Sequence, residues 1–454
     1  HGVDADAALA ALEERGREWD EHQRQLALWR GRYEFALPES AQDLELDRFQ
    51  IAGMWHDHEV ARMRSALFAS ALALHEAWLA EVGKKDGGFG GNLFAISQLL
   101  TNKALDNTAQ VPLIWQSLFM VVPVVSTTFA SLARQFRGMG AGSIGWLFID
   151  EAGQAVPQAA VGGLWRARRA VVVGDPLQIE PVFTVPQALI RGLSAQSPAT
   201  AGEAYAPDKV SVQRLADDAN RYGTLVPQPG GEGLWIGSPL RVHRRCADPM
   251  FSLSNAIAYE GKMVIEPARR VPQQLAIPMG GSAWIDIAGR VAFKQVVPEQ
   301  IEFVVELIAT LYQRGGALPE LYVISPFKAV RNALRKRIGE VDWDGKEPKK
   351  TVLRKWCKRC IGTVHTFQGK EQAVVLMVLG GGQEHAGSAE WAASKPNLLN
   401  VALTRAQQYF YIVGASEVWR GMDYFAAVHD RLPVVGPAEF MAGVARQSVP
   451  LGTT

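Results

Sequence analysis

The chain has 454 residues, too many for one ordinary core, so two or three domains are expected. Its 20% charged and 48% hydrophobic residues are those of a soluble globular chain and exclude intrinsic disorder. A formal net charge of +1 excludes any global pull toward nucleic acid, so such binding must rest on local basic surface.

Three cysteines, Cys246, Cys357 and Cys360, are too few for a disulfide framework and fit a reducing compartment. No apolar run reaches the roughly 18 to 20 residues of a membrane span, and no leader of charged, apolar and then small residues opens the chain. The expectation is an intracellular, cytoplasmic protein without a membrane partner. The first residue is His1 rather than Met, which suggests a piece whose upstream part has been removed.

From Ala7 to about Ala80 the chain is rich in Ala, Leu, Glu, Arg and Gln at helical spacing, as in Ala8, Leu9 and Leu12. Long helices are predicted, separated by a turn near Pro38-Glu39-Ser40. In the second of them, Glu59 to Val82, Met63, Leu67, Ala71, Leu74 and Trp78 make one apolar face. After the Gly-rich segment Gly87 to Asn92 and a further helix, short apolar runs begin: Phe119 to Ser126, Trp146 to Ile149 and Ala170 to Val173. Such runs predict strands of a parallel sheet buried on both faces.

Residues Ser194 to Gly233, with one helical piece at Val212 to Asn220, read as a linker. Beyond it strands and helices alternate. Trp284 to Ile287, Leu321 to Ser325, Ala373 to Leu379 and Tyr409 to Val413 are the strands. Pro298 to Tyr312, Ala329 to Ile338 and Leu398 to Gln407 are the helices. That alternation implies a doubly wound parallel sheet, and two α/β lobes make a cleft between them.

Trp146-Leu147-Phe148-Ile149 runs into Asp150-Glu151, which sets two carboxylates at the carboxyl edge of a strand, where α/β proteins bind ligands. An Asp there can hold Mg²⁺, and the adjacent Glu can orient or deprotonate a water. About two dozen residues on, a second strand ends in Gly174-Asp175-Pro176-Leu177-Gln178, and Gln178 can reach a phosphate or water as donor and acceptor. From Lys328 to Arg359, twelve basic residues face four acidic ones, with Trp343 and Trp356 interleaved. Such a patch suits a phosphate backbone. The Cys357-x-x-Cys360 pair lies inside it, but with only Cys246 left a four-thiolate zinc site cannot be built.

Ile149-Asp150-Glu151-Ala152 and Gly174-Asp175-Pro176-Leu177-Gln178 resemble motifs II and III of superfamily 1 helicases, in the branch that includes RNA-surveillance and replication-fork helicases moving 5′ to 3′. Val125-Ser126-Thr127-Thr128-Phe129-Ala130 resembles the preceding strand-and-turn motif, and Leu240 to Cys246 resembles motif IV, with His243-Arg244-Arg245 where the family has Gln-Tyr-Arg. Gly362 to Glu371 resembles motif V, and Asn400 to Ala406 resembles motif VI.

The resemblance implies two RecA-like parallel-sheet lobes of P-loop NTPase type, the first incomplete, plus an amino-terminal helical insertion. The expected divisions are residues 1–116 for the insertion, 117–236 for the carboxy-terminal part of the first lobe and the linker, and 237–454 for the second lobe. The implied cofactors are ATP and Mg²⁺. Asp150 would hold the metal, Glu151 activate water, Gln178 sense the γ-phosphate, and Arg245 and Arg405 stabilise the transition state. Asp175, Gln368, Gly369 and Glu371 would line the nucleotide side. Thr127, Thr128, Pro326, Phe327, Thr363, His365 and Thr366 would hold single-stranded DNA or RNA, largely independently of sequence. Phe327 or Phe367 could stack on a base or pack in the core.

A P-loop needs Gly, four residues, then Gly-Lys-Ser or Gly-Lys-Thr, because its amides cradle the phosphates and its lysine reaches them. None occurs: Gly369-Lys370 is followed by Glu371, and Gly83-Lys84 by Lys85. The loop is expected upstream of His1, so the chain reads as a helicase motor core with little ATPase activity of its own. The rival reading is a nucleic-acid-binding scaffold built on helicase lobes.

Overall fold

The computed structural model describes residues 2–32, 42–53, 58–84, 86, 88–101, 108–181, 183, 185–196, 205–227, 233–269, 272, 279–341, 343, 345, 347–367, 369–382 and 386–446. The chain divides into two compact units, residues 1–104 with 117–121, and residues 105–116 with 122–454.

The first unit is helical: α1 (Gly2–Arg32), α2 (Asp47–Ala52), α3 (His58–Val82) and α4 (Gly90–Leu100). The turn expected at Pro38-Glu39-Ser40 lies outside the described residues. The apolar face of α3 is present but uncovered, since no residue of that helix is buried and Leu67 and Leu74 are both 72% exposed. No helix among the described residues is long and apolar enough to cross a membrane.

The run Phe119 to Ser126 is not a strand. Its first residues close α5 (Val111–Val121), and 122–126 carry no regular structure. The apolar run begins earlier than Phe119, and Val111, Ile114, Trp115 and Leu118 are buried at spacings of three and four, a helical stripe. Pro123 then removes a ladder donor.

The second unit holds both α/β lobes. The first lobe contains α6 (Phe129–Gln135), β1 (Ile144–Ile149), α7 (Pro157–Arg166) and β2 (Ala167–Val172), with β1 and β2 paired parallel. These strands are not buried on both faces as expected, for Trp146 is 54% and Phe148 69% exposed. Two strands offer no further sheet to cover those side chains, and the lobe's own core is small: Ile149, Ala152, Ala155, Ala160 and Val212.

The segment expected to be a linker is more ordered. After α8 (Gln187–Ala195) and α9 (Val212–Ala219), β3 (Gly223–Val226) and β4 (Leu234–Gly237) form an antiparallel hairpin. Asp217 of α9 holds the hairpin: its Oδ1 accepts the Gly237 amide at 3.1 Å, and its carbonyl accepts Trp235 Nε1 at 3.0 Å.

The second lobe opens with β5 (Val242–His243), α10 (Met250–Ala258) and β6 (Val264–Ile265), the two strands paired parallel. Then follow β7 (Ala283–Asp286), α11 (Pro298–Gly315), β8 (Tyr322–Ser325), α12 (Lys328–Ile338), α13 (Lys350–Cys360), β9 (Ile361–Thr363) and β10 (Gln372–Val378). The chain closes with α14 (Ala386–Ala393), α15 (Asn397–Arg405), β11 (Ala406–Gly414), α16 (Ser416–Trp419), α17 (Asp423–His429), β12 (Val434–Val435) and α18 (Pro437–Arg446).

Six strands form one sheet in the order β12-β7-β11-β10-β8-β9, every pair parallel, as expected of a doubly wound α/β lobe. Val374 to Val378 and Phe410 to Val413 are almost wholly buried, which is why those strands read as unbroken apolar runs. Trp343 and Trp356 also belong to this core at 3% exposure each, so they do not interleave with the basic side chains around them.

Candidate functional site: the facing ends of two parallel sheets

The acid pair stands where β1 ends. Asp150 is exposed, and its Oδ1 accepts the Glu151 amide at 2.9 Å. Glu151 has a left-handed backbone, φ 53°, a conformation unfavourable for a side chain with a Cβ, and its Oε2 accepts Gln154 Nε2 at 2.9 Å.

The neighbouring loop meets this one main chain to main chain. A Cβ on Gly174 would lie 2.9 Å from the amides of Ala152 and Gly153, and one on Gly153 would lie 2.8 Å from the Asp175 carbonyl. Only glycine permits that approach. The Ala152 amide donates to the Val173 carbonyl at 3.0 Å, so the acid pair and the Gly174–Gln178 turn are one backbone assembly.

Asp175 organises that turn. Its Oδ1 accepts the Leu177 amide at 2.9 Å, and its Oδ2 accepts Gln178 Nε2 at 3.0 Å and the hydroxyl of Tyr259. Burial lifts its carboxyl above the usual carboxylate range, while the Tyr259 hydrogen bond pulls the other way. Tyr259 follows α10 of the second lobe, so this bond crosses between lobes. Asn400 of α15 joins it, donating to the Tyr259 hydroxyl at 3.0 Å and to the Leu177 carbonyl at 3.1 Å. Asn397 donates to the Gln178 carbonyl at 2.5 Å, and Lys395 pairs with Glu180 at the exposed rim. Leu177 and Ile179 are buried within the second lobe's core cluster.

Two arginines come from the second lobe. Arg405, 1% exposed, donates to the carbonyls of Lys370 at 2.9 Å and Val401 at 3.2 Å and to the Thr404 hydroxyl at 3.3 Å. All these partners are neutral. Burial lowers its pKa, the Arg245 charge adds to that, and Glu151 opposes it. Arg245 is half-exposed and pairs with Glu371, Nε to Oε2 2.7 Å. A Cβ on Gly369, φ 72°, would lie 3.6 Å from Glu151 Oε1, so the turn carrying Gly369 lies against the acid pair. Gln368 lies outside the described residues.

His243 and Arg244 take structural parts. His243 Nε2 accepts the Cys246 amide at 2.9 Å, and burial with nearby Arg245 and Arg269 drives its pKa down to about 4, so the ring is a neutral acceptor. Arg244 pairs with Glu266 at 3.0 Å. Both fix the loop that presents Arg245.

Of the residues assigned to nucleic acid, Pro326, Phe327, Thr363 and His365 line one groove of about 1040 Å³ on the second lobe. Thr366 supports it, its Oγ1 3.1 Å from that of Thr363. Thr127 and Thr128 are exposed on the first lobe and are not brought to this groove. Phe367 is fully buried and stacks on Tyr322 at 4.2 Å, and Phe327, although it borders the groove, is only 7% exposed and belongs to the same core cluster, so both candidate stacking rings pack in the core.

The residues that sequence reasoning missed are Tyr259, which no motif flags, and Asn400, which stands in a quoted motif without a role. All three cysteines are buried thiols, and burial raises Cys246 to about 12 and Cys357 to about 11. Among the described residues no cluster of His, Cys, Asp and Glu could hold a metal on its own.

Residues 236–417 and 103–185 each match a family model described as an AAA domain. The chain is 22% identical over 338 residues to the DNA replication ATP-dependent helicase/nuclease DNA2 of Mus musculus, covering 66% of this chain and 27% of that protein. It is 30% identical over 131 residues to an NFX1-type zinc finger-containing protein 1 homolog of Caenorhabditis elegans, covering 26% of this chain and 5% of that one. The chain thus spans about a quarter or less of the length of these relatives. Among solved structures it is similar to arterivirus nonstructural protein 10 (helicase) with DNA, at 14% identity and TM-score 0.27, covering 61% of this chain and 41% of that one. The same helicase in another crystal structure gives 13% and 0.27, covering 70% and 59%.

Proposed function

We propose that this chain, a superfamily 1 helicase-like protein, is the part of an ATP-driven nucleic-acid motor that closes on the γ-phosphate and grips a single strand. The observation that carries the reading is Arg405. A buried guanidinium held by neutral oxygens alone, with no ion pair among the described residues, is costly unless an anion completes it. Phosphoryl transfer supplies that anion, because charge builds on the transferred group and catalysis consists mostly of placing cations around it.

In this reading Arg405 and Arg245 face the developing charge, and Glu151 orients or deprotonates the attacking water across from Gly369. Gln178, steadied by Asp175, senses the terminal phosphate. Asp150 suits Mg²⁺: it is an exposed hard-oxygen donor beside one other carboxylate, Glu151, and Mg²⁺ is typically held by one or two carboxylates plus substrate phosphates. The ion would supply charge neutralisation on those phosphates. Arg245 must leave Glu371 to act, so nucleotide arrival and rearrangement of Glu371 are linked.

Thr127, Thr128, Pro326, Phe327, Thr363, His365 and Thr366 hold the strand in this reading, through backbone and base faces rather than sequence. Three unpaired buried thiols support a reducing, cytoplasmic setting. A 5′ to 3′ direction of movement rests on the motif resemblance.

No Gly-x4-Gly-Lys-Ser/Thr occurs in the 454 residues, so the chain alone is expected to hydrolyse little ATP. That same observation favours a second reading, a strand-binding scaffold without turnover. Strand-stimulated ATP hydrolysis separates them, measured for this chain and for any longer form that adds a phosphate-binding loop. The motor reading expects turnover in the longer form and its loss on Glu151→Gln with strand binding retained; no turnover on any strand leaves the scaffold.

A further inference from the structure

We propose that Trp391 and Phe293, which belong to none of the helicase-like motifs, form an aromatic platform that makes the second-lobe groove selective for unpaired nucleic-acid bases. The inference deepens the strand-binding reading above and rests on it.

Single exposed aromatic side chains need no explanation, but here two converge on one groove: Trp391 is 56% and Phe293 63% exposed, and both line it with Phe327. The Trp391 and Phe327 rings lie 6.2 Å apart at 41°. Each exposed ring sits on a fixed support. Phe293 stands on a tight turn in which the Val296 amide donates to the Phe293 carbonyl and the Ala292 amide to the Val296 carbonyl, both at 2.9 Å. Lys294 takes φ 52° at the tip. The Gln295 carbonyl accepts the Gly381 amide at 2.8 Å, and a Cβ on Gly380 would lie 2.3 Å from that oxygen, so main chain presses on main chain behind the turn. Gln295 Nε2 donates to Ser388 at 3.0 Å, tying the turn to α14, the helix that carries Trp391. The main chain beneath each ring is thereby fixed, so binding need order only the two side-chain torsions of each aromatic residue.

The charges select the ligand. Among the described residues, Lys294, Lys328 and Lys336 line the groove and no carboxylate does, while Lys294 Nζ lies 5.2 Å from the centre of the Phe293 ring. A ligand that satisfies both cations and open aromatic faces carries a regular anionic backbone and flat rings free to stack: single-stranded DNA or RNA. Duplex bases keep their faces to one another and offer the platform nothing.

The test is fluorescence anisotropy of this chain with four labelled probes: oligothymidine, oligouridine, a thymidine strand with abasic sites replacing its bases, and a blunt duplex. The native chain is expected to bind the two intact strands more tightly than the abasic strand or the duplex. Trp391→Ala should weaken intact-strand binding about tenfold, the order of one lost base–aromatic stack, and leave abasic-strand binding unchanged. Trp391→Phe should restore most of the loss. Lys294→Ala should weaken both intact and abasic strands and reduce the salt dependence. A loss with Trp391→Ala confined to oligothymidine or to oligouridine identifies that strand as the ligand. If the native chain binds intact and abasic strands equally and Trp391→Ala and Phe293→Ala change neither, the platform is refuted while strand binding stands. If it binds no strand at all, both fall.

Discussion

Asn400 donates one hydrogen bond to the Leu177 carbonyl at 3.1 Å and another to the Tyr259 hydroxyl at 3.0 Å, so one amide of the second lobe holds both the backbone of the Gly174–Gln178 turn and the tyrosine bonded to its aspartate. Ser254 fixes the arrangement by donating to Asn400 Oδ1 at 2.6 Å. The turn that would read the phosphate is therefore set by the second lobe as much as by the first.

Tyr259→Phe removes a donor from the enclosed Asp175 carboxylate and should cost about 1–3 kcal/mol at neutral pH. Asp175 has a folded pKa above its ordinary value, so charging it costs stability as pH rises from the usual carboxylate range through that raised value. The lost donor matters most when the carboxylate is charged. Urea denaturation should therefore give a larger penalty near neutrality than at about pH 4; an equal penalty at both would show that Tyr259 does not act through Asp175.

His243 works in the opposite direction. Its folded pKa is about 4 against an ordinary 6.5, so its stabilising contribution is complete above 6.5 and is lost as pH falls toward 4, by up to roughly 3 kcal/mol. His243→Gln, which keeps an acceptor for the Cys246 amide but cannot be protonated, should flatten this part of the stability profile. A profile unchanged by the substitution would assign the acid sensitivity elsewhere.

Arg405→Met should leave stability within about 1 kcal/mol of native or raise it, because an apolar side chain of similar reach replaces a buried charge that lacks an anionic partner. In a form with a phosphate-binding loop, strand-stimulated ATP hydrolysis should fall at least a hundredfold. A stability loss of about 3 kcal/mol or more would mark Arg405 as a structural group instead.

Gly153→Ala places a methyl 2.8 Å from the Asp175 carbonyl, a backbone atom that cannot swing aside. The loops must separate, at about 1–3 kcal/mol. Gly16→Ala is the control, since nothing lies within 4 Å of the added carbon, and it should cost nothing measurable by thermal denaturation. Equal behaviour of the two variants would mean the loops do not meet as described.

Much of this was legible because the physics is local. Trp146 to Glu151 and Ala170 to Gln178 each carry both the apolar run that makes a strand and the polar residues at its end, although the burial expected on both faces of those strands is absent. The alternation after Trp284 follows the strand and helix periods. The misses are non-local. Phe119 to Ser126 is apolar enough for either structure, and the register of Val111, Ile114, Trp115 and Leu118 decides for helix. Tyr259 meets an aspartate 84 residues away, which no spacing rule reports. Trp356 sits among lysines and arginines in sequence but turns inward, because a helix offers its opposite face to the core.

Leu177 and Ile179 leave the first lobe and are buried at 5% and 7% exposure in the hydrophobic cluster of the second. Extracting both into water would take about 3–6 kcal/mol, more than thermal agitation readily provides. Drawing the lobes fully apart is thus strongly disfavoured, whereas a swing about this doubly anchored loop keeps both side chains dry. Under the proposed function, a change in the spacing of the two lobes would leave this segment in place and act around it.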